Sequence, residues 1–242
     1  METLLDKRET RIRRMFGNIA PSYDLLNHLL SMNVDRWWRW RTTRLVPPGD
    51  GPILDVCSGT GDLALAYDRA ADGKLSVVGT DFCHEMLCRA VQKTERRGAA
   101  ERVRYLEADT QQLPFPDSMF QITTVAFGLR NVTDTDRGIA EMVRVTRPGG
   151  KVAILEFSRP AGVFGTLYEF YFRQVLPRVG QWISRSKDDA YRYLPASVME
   201  FPNGEALAER LRSHGLTDVT WKPFTFGIAT LYVGTKPAQE QS

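Results

Sequence analysis

Ile53-Leu54-Asp55-Val56-Cys57-Ser58-Gly59-Thr60-Gly61-Asp62 is the stretch around which the chain is organised. An apolar run (Ile53, Leu54, Val56) reaches a small-residue loop and then a helix-like pattern from Asp62, the layout of a first strand, tight turn and first helix in an α/β fold. Glycines at 59 and 61 permit positive φ and let a ligand approach bare N–H groups, while the first turn of the following helix adds unpaired donors and partial positive charge. Gly59-x-Gly61-x-x-Ala64 also satisfies the dinucleotide template, so the loop predicts a nucleoside ligand and leaves its tail open. Asp81, ending a second apolar run about twenty residues on, fits a ribose-hydroxyl acceptor in either case. Asp55 tilts the choice: a carboxylate facing the loop orients an ammonium group and repels a pyrophosphate, although the same side chain could simply cap N–H groups of the turn.

Working outward, the next segments repeat the alternation. Leu63 to Arg69 is expected as a helix, Leu75 to Asp81 as a strand, Glu85 to Arg97 as a helix and Val103 to Ala108 as a third strand ending at Asp109-Thr110, where a carboxylate can accept from an adenine amino group. Ile122 to Phe127 is the fourth strand, with Ala126 at its end and Gly128-Leu129-Arg130-Asn131 beyond it, where open α/β sheets collect ligands. Ile139 to Val145 is read as a helix stopped by Arg147-Pro148-Gly149-Gly150, and Lys151 to Phe157 as the fifth strand. Tyr191 to Pro195 is read as the lead into a helix over Asn203 to His214, and Val219 to Phe224 with Ile228 to Gly234 as a closing hairpin. That hairpin, with Asp55, disfavours a nicotinamide-dependent dehydrogenase.

Before the first strand lie about fifty residues that a minimal nucleotide-binding fold does not need, so they are assigned to the substrate. Ile12, Met15, Phe16 and Ile19 recur at helical spacing; Ser22 is a candidate N-cap, and Tyr23, Asn27 and Leu30 share the face of a second helix that suggests a lid. Asp35 to Arg44 reads D-R-W-W-R-W-R-T-T-R. Its tryptophans are expected to pack inward with arginines outward, ahead of membrane contact and then RNA stacking. Phe164 to Arg185, rich in aromatics, suits a greasy substrate tunnel, a membrane-facing edge or ordinary core.

The bulk numbers exclude more than they assign. With 242 residues the chain can bury a sizeable core, and a formal net charge of +3 does not demand a nucleic-acid partner. Cys57, Cys83 and Cys88 are the only cysteines, without C-x-x-C spacing, which argues against a disulfide framework and a structural zinc site. Neither a membrane span nor a signal peptide is legible, so a cytoplasmic protein is expected.

Several motifs together point to a family. Phe16 with Ala20-x-x-Tyr23-Asp24-x-x-Asn27-His28-x-x-Ser31, Leu54-Asp55-x-x-x-Gly59-Thr60-Gly61-Asp62, Leu113-Pro114-Phe115-x-Asp117, Phe127-Gly128-Leu129-Arg130-Asn131-Val132, Arg147-Pro148-Gly149-Gly150, Leu155-Glu156-Phe157-Ser158 and Tyr193-Leu194-Pro195-x-Ser197 cover nearly the whole chain. In these it resembles the class I S-adenosylmethionine-dependent methyltransferases, and more closely the ubiquinone/menaquinone biosynthesis C-methyltransferases of the UbiE type. The glycine loop and R-P-G-G are shared widely and say little about substrate; F-G-L-R-N-V with Y-D-x-x-N-H and L-E-F-S is specific. Cys57, Ser58, Asp109 and Ala126 depart from residues common in that family, which touches contact details.

The resemblance implies a Rossmann-like, mostly parallel seven-stranded sheet closed by an antiparallel hairpin, with a helical lid (1–50), a cofactor-binding core (51–160), a substrate or membrane insertion (161–200) and a terminal helix and hairpin (201–236). It implies cofactor contacts at Thr60, Asp81, Asp109, Thr110 and Ala126, beside Asp55, Gly59 and Gly61. The implied reaction is metal-free methyl transfer to the ring carbon of a polyprenylated quinol, releasing S-adenosylhomocysteine, with demethylmenaquinol preferred over a benzoquinol. Arg130 and Asn131 are expected to hold the quinol oxygen while Tyr23 or a water relays its proton. Transient contact with the inner face of the membrane follows from such a substrate; no nucleic acid is implied, and a homo-oligomer is admissible.

Overall fold

The computed structural model describes residues 9–21, 23–160 and 190–238. The expected N-cap Ser22 and the aromatic stretch Phe164 to Arg185 lie outside them. Three helices come first: α1 (Glu9–Ile19), α2 (Tyr23–Leu30) and α3 (Val34–Leu45). Then β1 (Ile53–Val56), α4 (Asp62–Ala70), β2 (Val77–Asp81), α5 (His84–Arg96), β3 (Val103–Glu107) and β4 (Phe120–Ala126) alternate, and a single 3₁₀ turn (Leu129–Asn131) precedes α6 (Thr135–Val145) and β5 (Thr146–Phe157). The described chain closes with α7 (Ala190–Glu200), α8 (Glu205–Ser213), β6 (Thr217–Phe224) and β7 (Ala229–Thr235).

The strands form one seven-stranded sheet in the order β3-β2-β1-β4-β5-β7-β6. The first five are mutually parallel, with Ile53 opposite both Val77 and Ile122, whereas β7 runs antiparallel between β5 and β6. Strand order reverses between β1 and β4, so their carboxyl ends diverge into a crevice, which is where an open sheet binds its ligand. This is the doubly wound fold with a terminal antiparallel hairpin that the sequence led us to expect.

Burial explains why a run as short as Ile53–Val56 is a strand. All four residues are buried because helices cover both faces of the sheet, so the segment reads as continuously apolar except at Asp55. One layer packs Trp38, Leu63, Ala66 and Tyr67 against the sheet, the other Ile139, Met142, Leu207 and Leu211. Each leucine, isoleucine and methionine among them contributes about 1.5–3 kcal/mol of hydrophobic stabilisation. A third cluster joins Ile12, Met15 and Ile19 of α1 to Cys83, Met86, Tyr193 and Val198. It seats the N-terminal helices over the carboxyl edge of the sheet, where α1 meets α5.

Three local expectations need correction. Arg147-Pro148-Gly149-Gly150 does not merely stop a helix: α6 ends at Val145, and these residues already belong to β5, with Thr146 paired to Phe120 ahead of a register shift. Gly150 is needed there because a Cβ would lie 2.8 Å from the carbonyls of Arg147 and Gln121. Tyr191 to Pro195 is no lead-in; it lies inside α7, which accommodates Pro195. Finally, the tryptophans of α3 do not all pack inward. Trp38 is buried against Phe127 and Phe157, while Trp37 and Trp40 are exposed, and it is Arg39 that turns inward.

Candidate active site

At the carboxyl ends of β1, β2 and β4 lies a cleft of about 640 Å³, lined among others by Tyr23, Gly59, Asp81, Asp109, Thr110 and Asn131. A smaller one of about 320 Å³ adjoins it, sharing Tyr23, Cys57, Gly59 and Ala126 and adding Arg39, Asp55, Thr60 and Asp62. The two clefts thus bring together Tyr23, Asp55, Gly59, Thr60, Asp81, Asp109, Thr110, Ala126 and Asn131 of the expected site residues. Gly61 and Arg130 do not line them.

The loop is built by backbone constraint. Cys57, Gly59 and Gly61 all have positive φ. At Gly59 a Cβ would meet nothing within 4 Å, which leaves its backbone open to the cleft, whereas at Gly61 it would lie 2.2 Å from the Tyr105 hydroxyl oxygen. Gly61 therefore permits close helix–strand packing and gives its N–H to the Ser58 carbonyl at 2.9 Å, while Gly59 is the glycine whose backbone lies open to the cleft.

Two carboxylates sit beneath this loop. Asp81 accepts from Gly59 N at 2.8 Å and from Cys83 N at 2.9 Å. Burial outweighs those bonds and pushes its pKa up to about 6. A carboxylate offers more lone pairs than these bonds use, so Asp81 can accept from further hydroxyl groups. Asp55 is buried and accepts from Ala64 N at 3.1 Å; burial raises its pKa well above the ordinary carboxylate range despite the pull of nearby Arg39. Asp109 is held by Gln111, whose backbone N–H and side-chain amide both donate to it.

Arg39 and Lys93 are charged groups around the clefts that sequence reasoning did not single out, and Glu156 stood there only as part of the Leu155-Glu156-Phe157-Ser158 motif. Arg39 Nη1 donates to Asp35 at 2.6 Å, its guanidinium lies 5.4 Å from the Phe127 ring centroid, and it faces Asp55 and Asp62 in the smaller cleft. Burial opposes its charge, but Asp62 and Asp35 more than offset this and raise its pKa. The only signal in the sequence was the i, i+4 spacing of Asp35 and Arg39 on a helix. Lys93 bridges Asp24 at 2.5 Å and Asp62 at 2.9 Å, and the Thr60 hydroxyl donates to Asp24 at 2.5 Å. His28 Nδ1 lies 2.9 Å from Asp35. Together these contacts latch α2 and α3 onto the first turn of α4.

At the end of β4 the backbone turns through Phe127, a non-glycine residue with positive φ. Beyond it, Arg130 is buried and donates from Nη1 to Glu156 Oε1 at 2.7 Å and to the Phe127 carbonyl. Glu156 also accepts from the backbone N–H groups of Arg130 and Phe157. The guanidinium lies 5.2 Å from the Phe157 ring centroid. Its charge is thus balanced inside the protein, and the turn is pinned so that Asn131 reaches the cleft. Arg130 Nε, Asn131 Oδ1, Ser58 Oγ and Tyr193 Oη are buried atoms without a hydrogen-bond partner among the described residues. Buried polar atoms are rarely left so unless a ligand or water completes them. Tyr23 bonds Asn27 and feels Arg130 and Arg39; burial nevertheless raises its pKa, so at neutral pH it is a phenol that donates.

The family model of the ubiE/COQ5 methyltransferase family matches residues 4–236. A curated relative, the ubiquinone/menaquinone biosynthesis C-methyltransferase UbiE of Citrifermentans bemidjiense, is 45% identical over 96% of this chain and 99% of its own length. The demethylmenaquinone methyltransferase of Thermus thermophilus is 47% identical over 92% of this chain and its full length. Among solved structures, the [4+2]-cyclase SpnF superposes with a TM-score of 0.70 at 18% identity, covering 94% of this chain and 96% of its own, a likeness of fold alone.

Proposed function

The chain belongs to the ubiE/COQ5 methyltransferase family and is an S-adenosylmethionine-dependent C-methyltransferase; from that premise we propose that its acceptor is the ring carbon of demethylmenaquinol. The observation that carries this reading is the mixed lining of the larger cleft. Ile12, Phe16, Phe82 and Met86 bring apolar side chains to it, and Tyr23 and Asn131 bring polar ones besides Asp81 and Asp109. With those two carboxylates given to the methyl donor, a greasy ring with a polar edge matches what is left. The relative named for demethylmenaquinone methylation supports it as well.

The chain's own residues fit the methyl donor. Asp55 and Arg39 flank the smaller cleft as a matched pair for an ammonium and a carboxylate, Asp81 for ribose hydroxyls, and Asp109 with Thr110 for the base. When bound there, S-adenosylmethionine supplies an electrophilic methyl on a positively charged sulfur. The remaining task is to make carbon nucleophilic. Loss of a ring hydroxyl proton places charge on the neighbouring carbon, and fixed dipoles and charges around the oxygen favour that anion. Tyr23 and the Asn131 amide are the donors for this oxygen, with water receiving the proton; once the methyl is on the ring, the same carbon gives up its hydrogen as a proton to water and the oxygen is reprotonated. Arg130, already bonded to Glu156, acts by holding Asn131 in register and by its residual field on Tyr23, and is a positioning residue in this scheme. Helices α1 to α3 form the lid, and attachment to the membrane from the cytoplasmic side follows from the substrate.

Purified protein given labelled S-adenosylmethionine and either demethylmenaquinol or a 2-methoxy-6-polyprenyl-1,4-benzoquinol decides the acceptor, read by mass spectrometry of the extracted quinone. Methylated naphthoquinol is expected; turnover of the benzoquinol alone would overturn the assignment. The benzoquinol is the second reading because the other relative's name covers both quinones. In the same assay Arg130→Ala is expected to lower kcat by about 10²-fold or more; unchanged kcat and KM would remove Arg130 from the mechanism.

A further inference from the structure

The exposed face of α3 carries what the active site does not use. Trp37 is 45% and Trp40 is 50% exposed, and Met32, just ahead of the helix, is 83% exposed. Trp37 packs edge-on against Phe224, ring centroids 5.6 Å apart, and buried Trp38 donates from Nε1 to Thr225 Oγ1 at 2.8 Å. These contacts bring the loop after β6 beside the helix. In that loop Thr225 and Phe226 adopt positive φ, and Phe226 stands 73% exposed. Non-glycine residues rarely adopt that region, so the backbone is strained where a large apolar ring points outward.

The cations on this face complete the pattern. Arg36 and Arg44 are exposed and Arg41 is half-buried, and none of the three has a carboxylate partner among the described residues. The Arg44 guanidinium lies 5.9 Å from the Trp40 ring centroid. Next to them Arg69 has its pKa lowered by burial and by the charges of Arg97 and Arg36. Exposed tryptophans interleaved with arginines that lack a carboxylate partner suit an interface between water and anionic lipid, because aromatic bodies sit at headgroup level while guanidinium groups meet phosphates. The face also adjoins the site, for Trp38 beneath it packs on Phe127, which lines the larger cleft.

We propose that the outer face of α3, with Trp37, Trp40, Arg36 and Arg44, together with the Phe226 loop, is the surface by which this protein docks on an anionic bilayer, with the cleft mouth beside the lipid. The membrane residence of the acceptor, taken from the proposed function, supplies the reason; the docking itself is measurable without it.

Flotation of the full chain with phosphatidylcholine vesicles, with and without phosphatidylglycerol and with no quinol or methyl donor, tests the surface directly. Binding to the anionic vesicles and its loss in high salt are expected. Trp37→Ala with Trp40→Ala, and separately Arg36→Glu with Arg44→Glu, should each cut the bound fraction about tenfold or more. Trp221→Ala should leave it unchanged, because Trp221 is exposed on the other layer, bonded to Glu205 of α8. Circular dichroism and turnover of a short-chain, water-dispersed quinol should stay at wild-type values in all of these variants, which separates loss of docking from loss of fold or of chemistry. Failure of the wild-type chain to float, or flotation of both double variants at the wild-type level, would overturn the proposal, whichever quinol is the acceptor.

Discussion

Two buried carboxylate sites lie side by side on the carboxyl edge of the sheet and are balanced in opposite ways. At the ends of β1 and β2, Asp55 and Asp81 face mainly backbone N–H groups, and burial raises both pKa values. At the ends of β4 and β5, Glu156 is buried against the Arg130 guanidinium at 2.7 Å. One site keeps an electrostatic debt that a cationic, hydroxyl-bearing ligand can settle; the other is settled within the protein. The first is built to receive, the second to hold still. Binding at the first should therefore stabilise the fold, whereas the second should contribute its rigidity before any ligand arrives.

Removing one partner of the closed pair is the harshest test. Glu156→Ala is expected to cost about 3–5 kcal/mol of stability in urea unfolding, because it strands a buried guanidinium. Glu156→Ala with Arg130→Met should recover most of that stability while leaving kcat low, and a single variant as stable as wild type would erase the contrast.

The open site should respond through affinity. Asp81→Asn is expected to weaken S-adenosylmethionine by about 2 kcal/mol, roughly 30-fold, in calorimetric titration. Its pH dependence has a definite sign. The folded pKa of Asp81 is about 6, above that of an unfolded aspartate, so its carboxylate form disfavours the free fold. This group's contribution to stability is fully present below about pH 4 and is lost as pH rises through about 6. Ligand affinity runs the other way, falling by up to about tenfold per unit as pH drops below 6 and the acceptor is protonated. A flat affinity between pH 7 and 5 would show that Asp81 is not the acceptor. The smallest effect is expected at Asp55: Asp55→Asn should raise the stability of the ligand-free protein by about 0.5–2 kcal/mol at pH 7 while lowering affinity for the donor, read as a larger melting temperature alone and a smaller shift on adding ligand.

The same contrast separates what the sequence made legible. Asp55, the glycines and Asp81 could be placed because each is fixed by its own strand end and turn, so their chemistry is local. Glu156 stood in a recognisable motif, yet its pairing with Arg130 depends on β4 and β5 lying side by side. Arg39 was harder to place for a sharper reason: helical spacing with Asp35 gives a face but not its direction, and packing of Trp38 on Phe127 and Phe157 chose the direction. The strand start at Thr146 was missed because Pro148 and the glycines signal a turn, while pairing with Phe120 overrides that signal.

Gly128 and Cys57 belong to turns on different strands, yet a Cβ on Gly128 would come within 2.3 Å of the Cys57 Cβ. The two positions are a lock and its ward: a methyl can be admitted at one only by shaving it from the other. Gly128→Ala should accordingly be tolerated better in a Cys57→Gly background than alone, making the meeting of these loops a single heritable unit rather than two independent residues.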